Sequence, residues 1–210
     1  MWANHDANHM WDINTSDSVN EVIWRGDVTF DSFKTIVHRW IDKYFRHPSH
    51  YKIDGKPVLM IYSITNFLKS FGGTDGTRKA ISNFRDEVEK AGFPGLHLQL
   101  VYNVFEGFDC DRYFGGEAGD VYELLDFDSV SHYNIDTRAE RNYDYTEIIK
   151  NHKRSYDRMD EEGRLYFPQV SLGWDNNPRF RTFQPEITRN NTQQKSTTTL
   201  QITIYHINCK

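Results

Sequence analysis

The stretch YKIDGKPVLMIY, Tyr51 to Tyr62, decides the fold. It turns at Asp54-Gly55 and then runs apolar from Pro57 to Tyr62. A short apolar run behind a turn reads as a buried strand. Upstream, Phe33, Ile36, Val37, Trp40, Ile41, Tyr44 and Phe45 recur at helical spacing. They predict a helix from about Thr29 to Arg46 with these residues on its buried face. Thr29 or Asp31 caps its start, and His47-Pro48 stops it. Downstream, Ile81, Phe84 and Val88 predict a helix from about Thr77 to Lys90, with Gly92 at the C-cap position.

The alternation continues outward. Leu96–Tyr102 reads as a strand, Val121–Leu125 as a short helix, and Phe127–His132 as a strand. Tyr145–Met159 reads as a helix and Leu165–Leu172 as a strand. Met1–Asn4 resembles the end of one more strand. Strands separated by helical crossovers pair in parallel most economically. This leaves a Rossmann-like sheet or a β/α barrel.

Composition narrows the function. At 210 residues the chain is one domain or slightly more. Aromatics make up 15%, which excludes a mostly disordered polymer. Acidic residues number 30 and basic residues 25, a net charge of −5, so no nucleic-acid partner is expected. No run reaches about 18 apolar residues, so no membrane span is expected. Cys110 and Cys209 make no disulfide framework. The Met1-Trp-Ala-Asn-His5 start reads as no signal peptide, so the chain as encoded is expected in the cytoplasm, with export of a longer parent open. From Arg189 onward there is no acidic residue, and Asn190–Thr199 is polar and low in complexity. The expected organisation is a domain over 1–187 and an atypical polar tail over 188–210, foreign to the fold.

In parallel α/β folds, ligands meet the loops after the C-terminal ends of strands. Polar and aromatic residues gather there: Trp2, Asn4, His5 and Asp6; Tyr62; Tyr102, Asn103 and Glu106; His132, Tyr133 and Asn134; Gly173, Trp174, Asp175 and Asn176. Indole and phenol faces stack on sugar rings, while Asn, Asp and His bond hydroxyls, so the set suits a carbohydrate better than a phosphate. The plainer reading is that strand ends everywhere carry turn-forming Asn and Asp. His5 and His9 have the i, i+4 spacing of a zinc pair but no third ligand, so no metal is expected. Phe71–Thr77 is glycine-rich, yet reads as a turn with helix capping rather than a phosphate cradle; no cofactor is expected. Cys110, between Asp109 and Asp111, is a poor nucleophile. Glu106 and Glu117 are loop carboxylates, and glycoside cleavage needs two such groups about 5–10 Å apart.

YKIDGKPVLMIY (Tyr51–Tyr62), SLGWDNNPR (Ser171–Arg179) and Trp2-Ala-Asn-His5 resemble signatures of the glycoside hydrolase family 99-like group, also called WbsX-like glycosyltransferases. The resemblance covers roughly residues 1 to 187. It implies a partial (β/α)8 barrel that acts on an oligosaccharide or polysaccharide, as hydrolase or transferase. It implies a glycan-binding wall of Trp2, Asn4, His5, Tyr62, Asn103, Tyr133, Trp174, Asp175 and Asn176. Complete members carry a later N-E-W-x-E-like motif whose glutamates form the catalytic pair. This sequence contains no such motif. A truncated, catalytically incomplete chain is therefore expected, with Glu106 the best internal substitute carboxylate. Too few strands to close a barrel would leave open edges for association with another chain. The alternative is a non-catalytic carbohydrate- or partner-binding α/β module.

Overall fold

The computed structural model describes residues 1–8, 14, 21–102, 120–133, 143–171, 175, 177–183, 188–190 and 192. In chain order the elements are β1 (Ala7–Asn8), β2 (Val22–Trp24), α1 (Phe30–Trp40) and a π-helical segment (Ile41–Phe45). Then come β3 (Lys52–Ile53), β4 (Lys56–Ile61), α2 (Ile64–Ser70), α3 (Thr74–Lys90) and β5 (His97–Tyr102). The last are α4 (Val121–Leu124), β6 (Ser129–His132), β7 (Tyr143–Asp144), α5 (Tyr145–Glu161), β8 (Tyr166–Phe167) and β9 (Thr188–Arg189). They form two compact units, Met1–His5 with Gly26–Val130, and Asp6–Arg25 with Ser131–Lys210.

In the first unit β4 and β5 run parallel, with Val58 opposite His97 and Ile61 opposite Leu100. The Met1–Asn4 segment joins them as predicted. Trp2 donates its N–H to Met60 O at 2.8 Å, and Tyr62 donates to Trp2 O at 3.1 Å, a parallel bridge to Ile61. β3 folds back antiparallel on β4 through Asp54 and Gly55, both at positive φ.

Side chains alternate across a strand. Leu59, Ile61, Leu98 and Leu100 are buried in one cluster with Phe33 and Val37 of α1 and with Ile81, Phe84 and Val88 of α3. The other face of β5 carries the buried polar residues His97 and Gln99. His97 Nε2 lies 2.7 Å from Ser129 Oγ, and Gln99 Nε2 donates to the same hydroxyl at 3.0 Å. Arg85 of α3 ties the helix to the strand starts. It donates to Leu96 O at 2.8 Å, to Asp126 O at 2.6 Å and to Asp128 Oδ2 at 3.0 Å.

Several sequence readings need amendment. Tyr44 was expected on the buried helix face but is 50% exposed. The buried residues Phe33, Val37, Ile41 and Phe45 recur every fourth position. Steps of four overshoot an α-helical turn by about 40° each. The wider π turn over Ile41–Phe45 takes up that drift and leaves Tyr44 outside. α3 starts at Thr74, inside the glycine-rich stretch, with Gly73 at φ 111° as its N-cap. Gly76 is required there, since a Cβ would lie 1.9 Å from Phe71 O. α2 was not predicted: it spans seven residues, too few to show a helical period, and starts where the Ser63 hydroxyl accepts from Asn66 N–H. The last strand is only Tyr166–Phe167, because Pro168 has no N–H to donate to a ladder.

In the second unit β1 pairs antiparallel with β2, and β7 pairs parallel with β9. Thr188 and Arg189, where the tail was expected to begin, thus lie opposite Tyr143 and Asp144. Residues 193–210 fall outside the described residues. α5 begins at Asp144, whose carboxylate accepts from Thr146 N–H at 2.8 Å. Its buried side chains reach backbone beyond β8: Tyr156 OH donates to Gln169 O at 2.7 Å and Tyr145 OH to Ser171 O at 3.0 Å. His132 is buried, with Nδ1 2.9 Å from the Tyr166 hydroxyl.

Two predictions follow from these contacts. Arg85→Met removes three bonds, two of them part-buried, and should cost about 1–3 kcal/mol in urea unfolding. An unchanged midpoint would show that Arg85 is not a tie. The other concerns pH. Burial lowers the pKa of His132 to about 4, helped by the charges of His152 and Arg158. Burial lowers that of His152 as well. Both groups favour the neutral form in the fold, so the unfolded chain takes up protons first. The contribution of His132 is complete above about pH 6.5 and is lost as pH falls toward about 4, and that of His152 is lost in the same direction. It amounts to about 3 kcal/mol for His132 over that interval. Urea midpoints measured from pH 7.5 to 5, above most carboxylate titration, should fall with acid, and His132→Leu should flatten the fall.

Candidate functional site at the strand ends

The site in the first unit starts from Asn4. Its side chain is buried and behaves like one more peptide of the ladder: Nδ2 donates to Ser63 O at 2.7 Å, and Oδ1 accepts from Ser63 N–H at 2.8 Å. Asn66 Nδ2 returns a bond to Asn4 O at 3.0 Å. Ser70 Oγ donates to Asn66 O at 2.7 Å and accepts from Val28 N–H at 3.0 Å. This chain of amides and hydroxyls fixes the backbone on both sides of the β4 C-terminus. Asn4 therefore acts through its backbone partners, and a ligand at this end would meet its neighbours.

Those neighbours are His5 and Tyr62. Both are half-buried, with ring centroids 5.2 Å apart and planes inclined by 58°. Gly26 sets the backbone beneath them. A Cβ there would lie 2.6 Å from Asn4 O and 2.5 Å from His5 C, so no other residue fits this approach. An imidazole and a phenol side by side offer hydrogen-bonding edges and apolar ring faces, the combination that grips a hydroxylated ring.

Trp2 has a different place. Its indole packs against Phe33, Trp40 and Phe67 at centroid distances of 5.6, 5.3 and 5.7 Å, so the ring is engaged with the helix layer. In the second unit Tyr133 follows β6 and is 51% exposed. Asp175 is exposed; its Oδ1 accepts from Asn177 Nδ2 at 2.7 Å and from Asn177 N–H at 2.8 Å. These bonds, the side-chain one first, hold its carboxyl below the usual carboxylate range. Such a group stays ionised and accepts hydroxyl protons well, but it is unsuited to donate one. His132, read as a strand-end polar residue, is interior. Asn103, Glu106, Trp174 and Asn176 lie outside the described residues, as do His9, Cys110, Glu117, Asn134, Gly173 and Cys209. Tyr102 closes β5.

The structure therefore brings Asn4, His5 and Tyr62 together in one unit. The sequence reading overlooked Ser63, Asn66 and Gly26, which position them. A Ser directly after a strand with a hydrogen-bonding residue three positions on is a capping signal that marks the first two. A cavity of about 300 Å³ lies elsewhere, between α1 and α3, lined by Phe33, Val37, Phe84 and Glu87 among others. Among the described residues no group of three or more His, Cys, Asp or Glu is placed to hold a metal ion. No helix of the described residues is long and apolar enough to cross a membrane.

Comparison with known proteins gives the family. The structure resembles the GH99 endo-alpha-mannosidase from Bacteroides thetaiotaomicron with a TM-score of 0.52. The two are 13% identical, and the match covers 85% of this chain and 47% of that one. This chain thus spans about half the length of the mannosidase chain. At that identity the likeness shows the fold, a partial β/α barrel with parallel strands alternating with helices. No curated protein matches the sequence. The model of the family described as "Glycosyltransferase WbsX" matches residues 1–210, the whole sequence, and the chain belongs to that glycan-processing family.

Proposed function

We propose that this chain binds a neutral glycan at the C-terminal ends of its parallel strands and does not cleave it. The observation that carries the reading is the His5–Tyr62 ring pair, held at the end of β4 by the Asn4–Ser63 clamp and the Gly26 approach. In a chain of a glycan-processing family, a paired imidazole and phenol at a strand end suits a sugar ring. Tyr62 takes the apolar face of a ring, and His5 bonds its hydroxyls. In the second unit the candidates are Tyr133, by stacking, and Asp175, by accepting hydroxyl protons; Asn103, Trp174 and Asn176 are further candidates from the sequence.

Turnover is a separate matter. Glycoside cleavage needs one carboxyl group to protonate the leaving oxygen and a second as base or nucleophile, each step contributing about 10²–10⁴-fold. His5, Tyr62 and Tyr133 carry no carboxyl, and Asp175 is held ionised by Asn177. Contacts that hold ground state and transition state equally leave the barrier unchanged. The N-E-W-x-E-like motif does not occur in these 210 residues. A mannose polymer heads the test panel because the structural neighbour is an endo-alpha-mannosidase.

The test is titration of the purified chain with α-mannan oligosaccharides and a panel of other neutral glycans, alongside a reducing-end assay. A saturable complex is expected, without release of reducing ends. Tyr62→Ala should weaken it about tenfold, since an aromatic contact is worth about 1 kcal/mol or more. Gly26→Ala, which displaces the His5 backbone, should weaken it as well. Binding untouched by Tyr62→Ala would move the site away from β4. Turnover abolished by Glu106→Gln would overturn the non-catalytic reading.

A further inference from the structure

We infer that His152, together with Tyr145, is a positioning residue for the Ser171–Arg179 motif: the two side chains hold both backbone groups of Ser171, its first residue. The inference rests on reading the motif as glycan-binding, through Asp175, but its structural part is tested without a glycan.

Ser171 is buried, and its N–H and C=O each need a partner. β8 ended at Phe167, so no ladder supplies them. α5 does. Ser171 donates its N–H to His152 Nε2 at 2.9 Å, and Ser171 O accepts from Tyr145 OH at 3.0 Å. Just upstream, Gln169 O accepts from Tyr156 OH at 2.7 Å, and Gln169 Nε2 donates to Ser171 Oγ at 2.9 Å. Positions 145, 152 and 156 are spaced seven and four apart, the spacing of one helix face.

The imidazole is specified beyond its volume. It is fully buried, and its Nδ1–H donates to Ile148 O at 2.8 Å, which leaves the Nε2 lone pair facing Ser171. A residue kept for packing alone needs no acceptor there. Further along the motif Asp175 caps Asn177, where the 3-10 turn Asn177–Arg179 begins. A backbone already held at Ser171 leaves less freedom to lose when a ligand orders it. His152 thus acts on binding through Ser171, at a remove from the ligand.

The experiment is residue-resolved hydrogen exchange on the full chain at neutral pH, comparing wild type, His152→Phe, His152→Gln and Tyr145→Phe. Phe fills the volume without an acceptor, whereas the Gln Oε1 can replace Nε2. His152→Phe should speed exchange about tenfold or more at Ser171 and also at Asn177, with the rest of α5 unchanged. His152→Gln should bring both amides back to within about threefold of wild type. Tyr145→Phe removes one hydroxyl and should move the same two amides less, which keeps the test informative if His152→Phe fails to fold. Faster exchange along all of α5, or at Ser171 with Asn177 unmoved, would overturn the inference. So would a Gln variant no better than Phe. Titration with α-mannan oligosaccharides adds an independent arm. Weaker binding by His152→Phe, rescued by Gln, supports the positioning role. A wild-type chain that binds no glycan of the panel removes the functional reading, while the exchange pattern still decides the anchor.

Discussion

The parallel ladder between β4 and β5 constrains everything else in the first unit. Its register puts Leu59 and Ile61 beside Leu98 and Leu100, with period-two alternation sending these four toward the helices. The same alternation sends His97 and Gln99 the other way, onto Ser129. A slip of one residue would set a histidine and a glutamine among phenylalanines and turn two leucines onto the hydroxyl of Ser129. Both faces therefore vote for one register, the apolar side by transfer from water and the polar side by the cost of unmade hydrogen bonds. With the register set, the end of β4 is set, and with it the place where a ligand can be met.

Past the ladder, side chains stand in for missing strand neighbours. The Asn4 amide pairs with both backbone groups of Ser63 as a peptide would. Arg85 reaches the Leu96 and Asp126 carbonyls. His152 and Tyr145 take both groups of Ser171. Each joins segments that no regular element joins, and each occurs where a strand has just ended or is about to begin. Buried backbone must be satisfied somewhere, and irregular chain around a sheet end leaves few alternatives.

How much of this could be read from sequence depends on the length of the signal. α1, α3 and α5 run long enough to repeat an apolar face, and β4 and β5 are bounded by Asp54-Gly55 and Pro94-Gly95. Their order was enough to indicate parallel strands, and the Tyr51–Tyr62 and Ser171–Arg179 motifs indicated the family. Tyr44 was misread because a π turn does not follow the α period. α2 was overlooked because seven residues show no period. The shortened last strand turns on Pro168, which a propensity count averages away. In the site, His5 and Tyr62 were legible as strand-end residues. The role of Asn4 as a backbone clamp was not, since it depends on Ser63, 59 positions away. Nor was the packing of Trp2 legible: its place near a strand end gave no sign of the rings of Phe33, Trp40 and Phe67 around it.

The Arg85 contacts also bear on the order in which the chain can fold as it is made. Leu96 lies 11 residues ahead of Arg85 and Asp128 lies 43 ahead. α3 can form as a helix early, from local bonds, but two of the three acceptors of its guanidinium, Asp126 O and Asp128 Oδ2, come only with the start of β6. Until then α3 is docked through its apolar face and the single Arg85 bond to Leu96 O, without the clamp across Asp126 and Asp128. Contacts of such sequence separation slow folding, because a long loop must close before they reward it. The first unit is thus committed late, by a residue in its middle, and a ribosome pausing before Asp128 would present α3 attached but not yet locked.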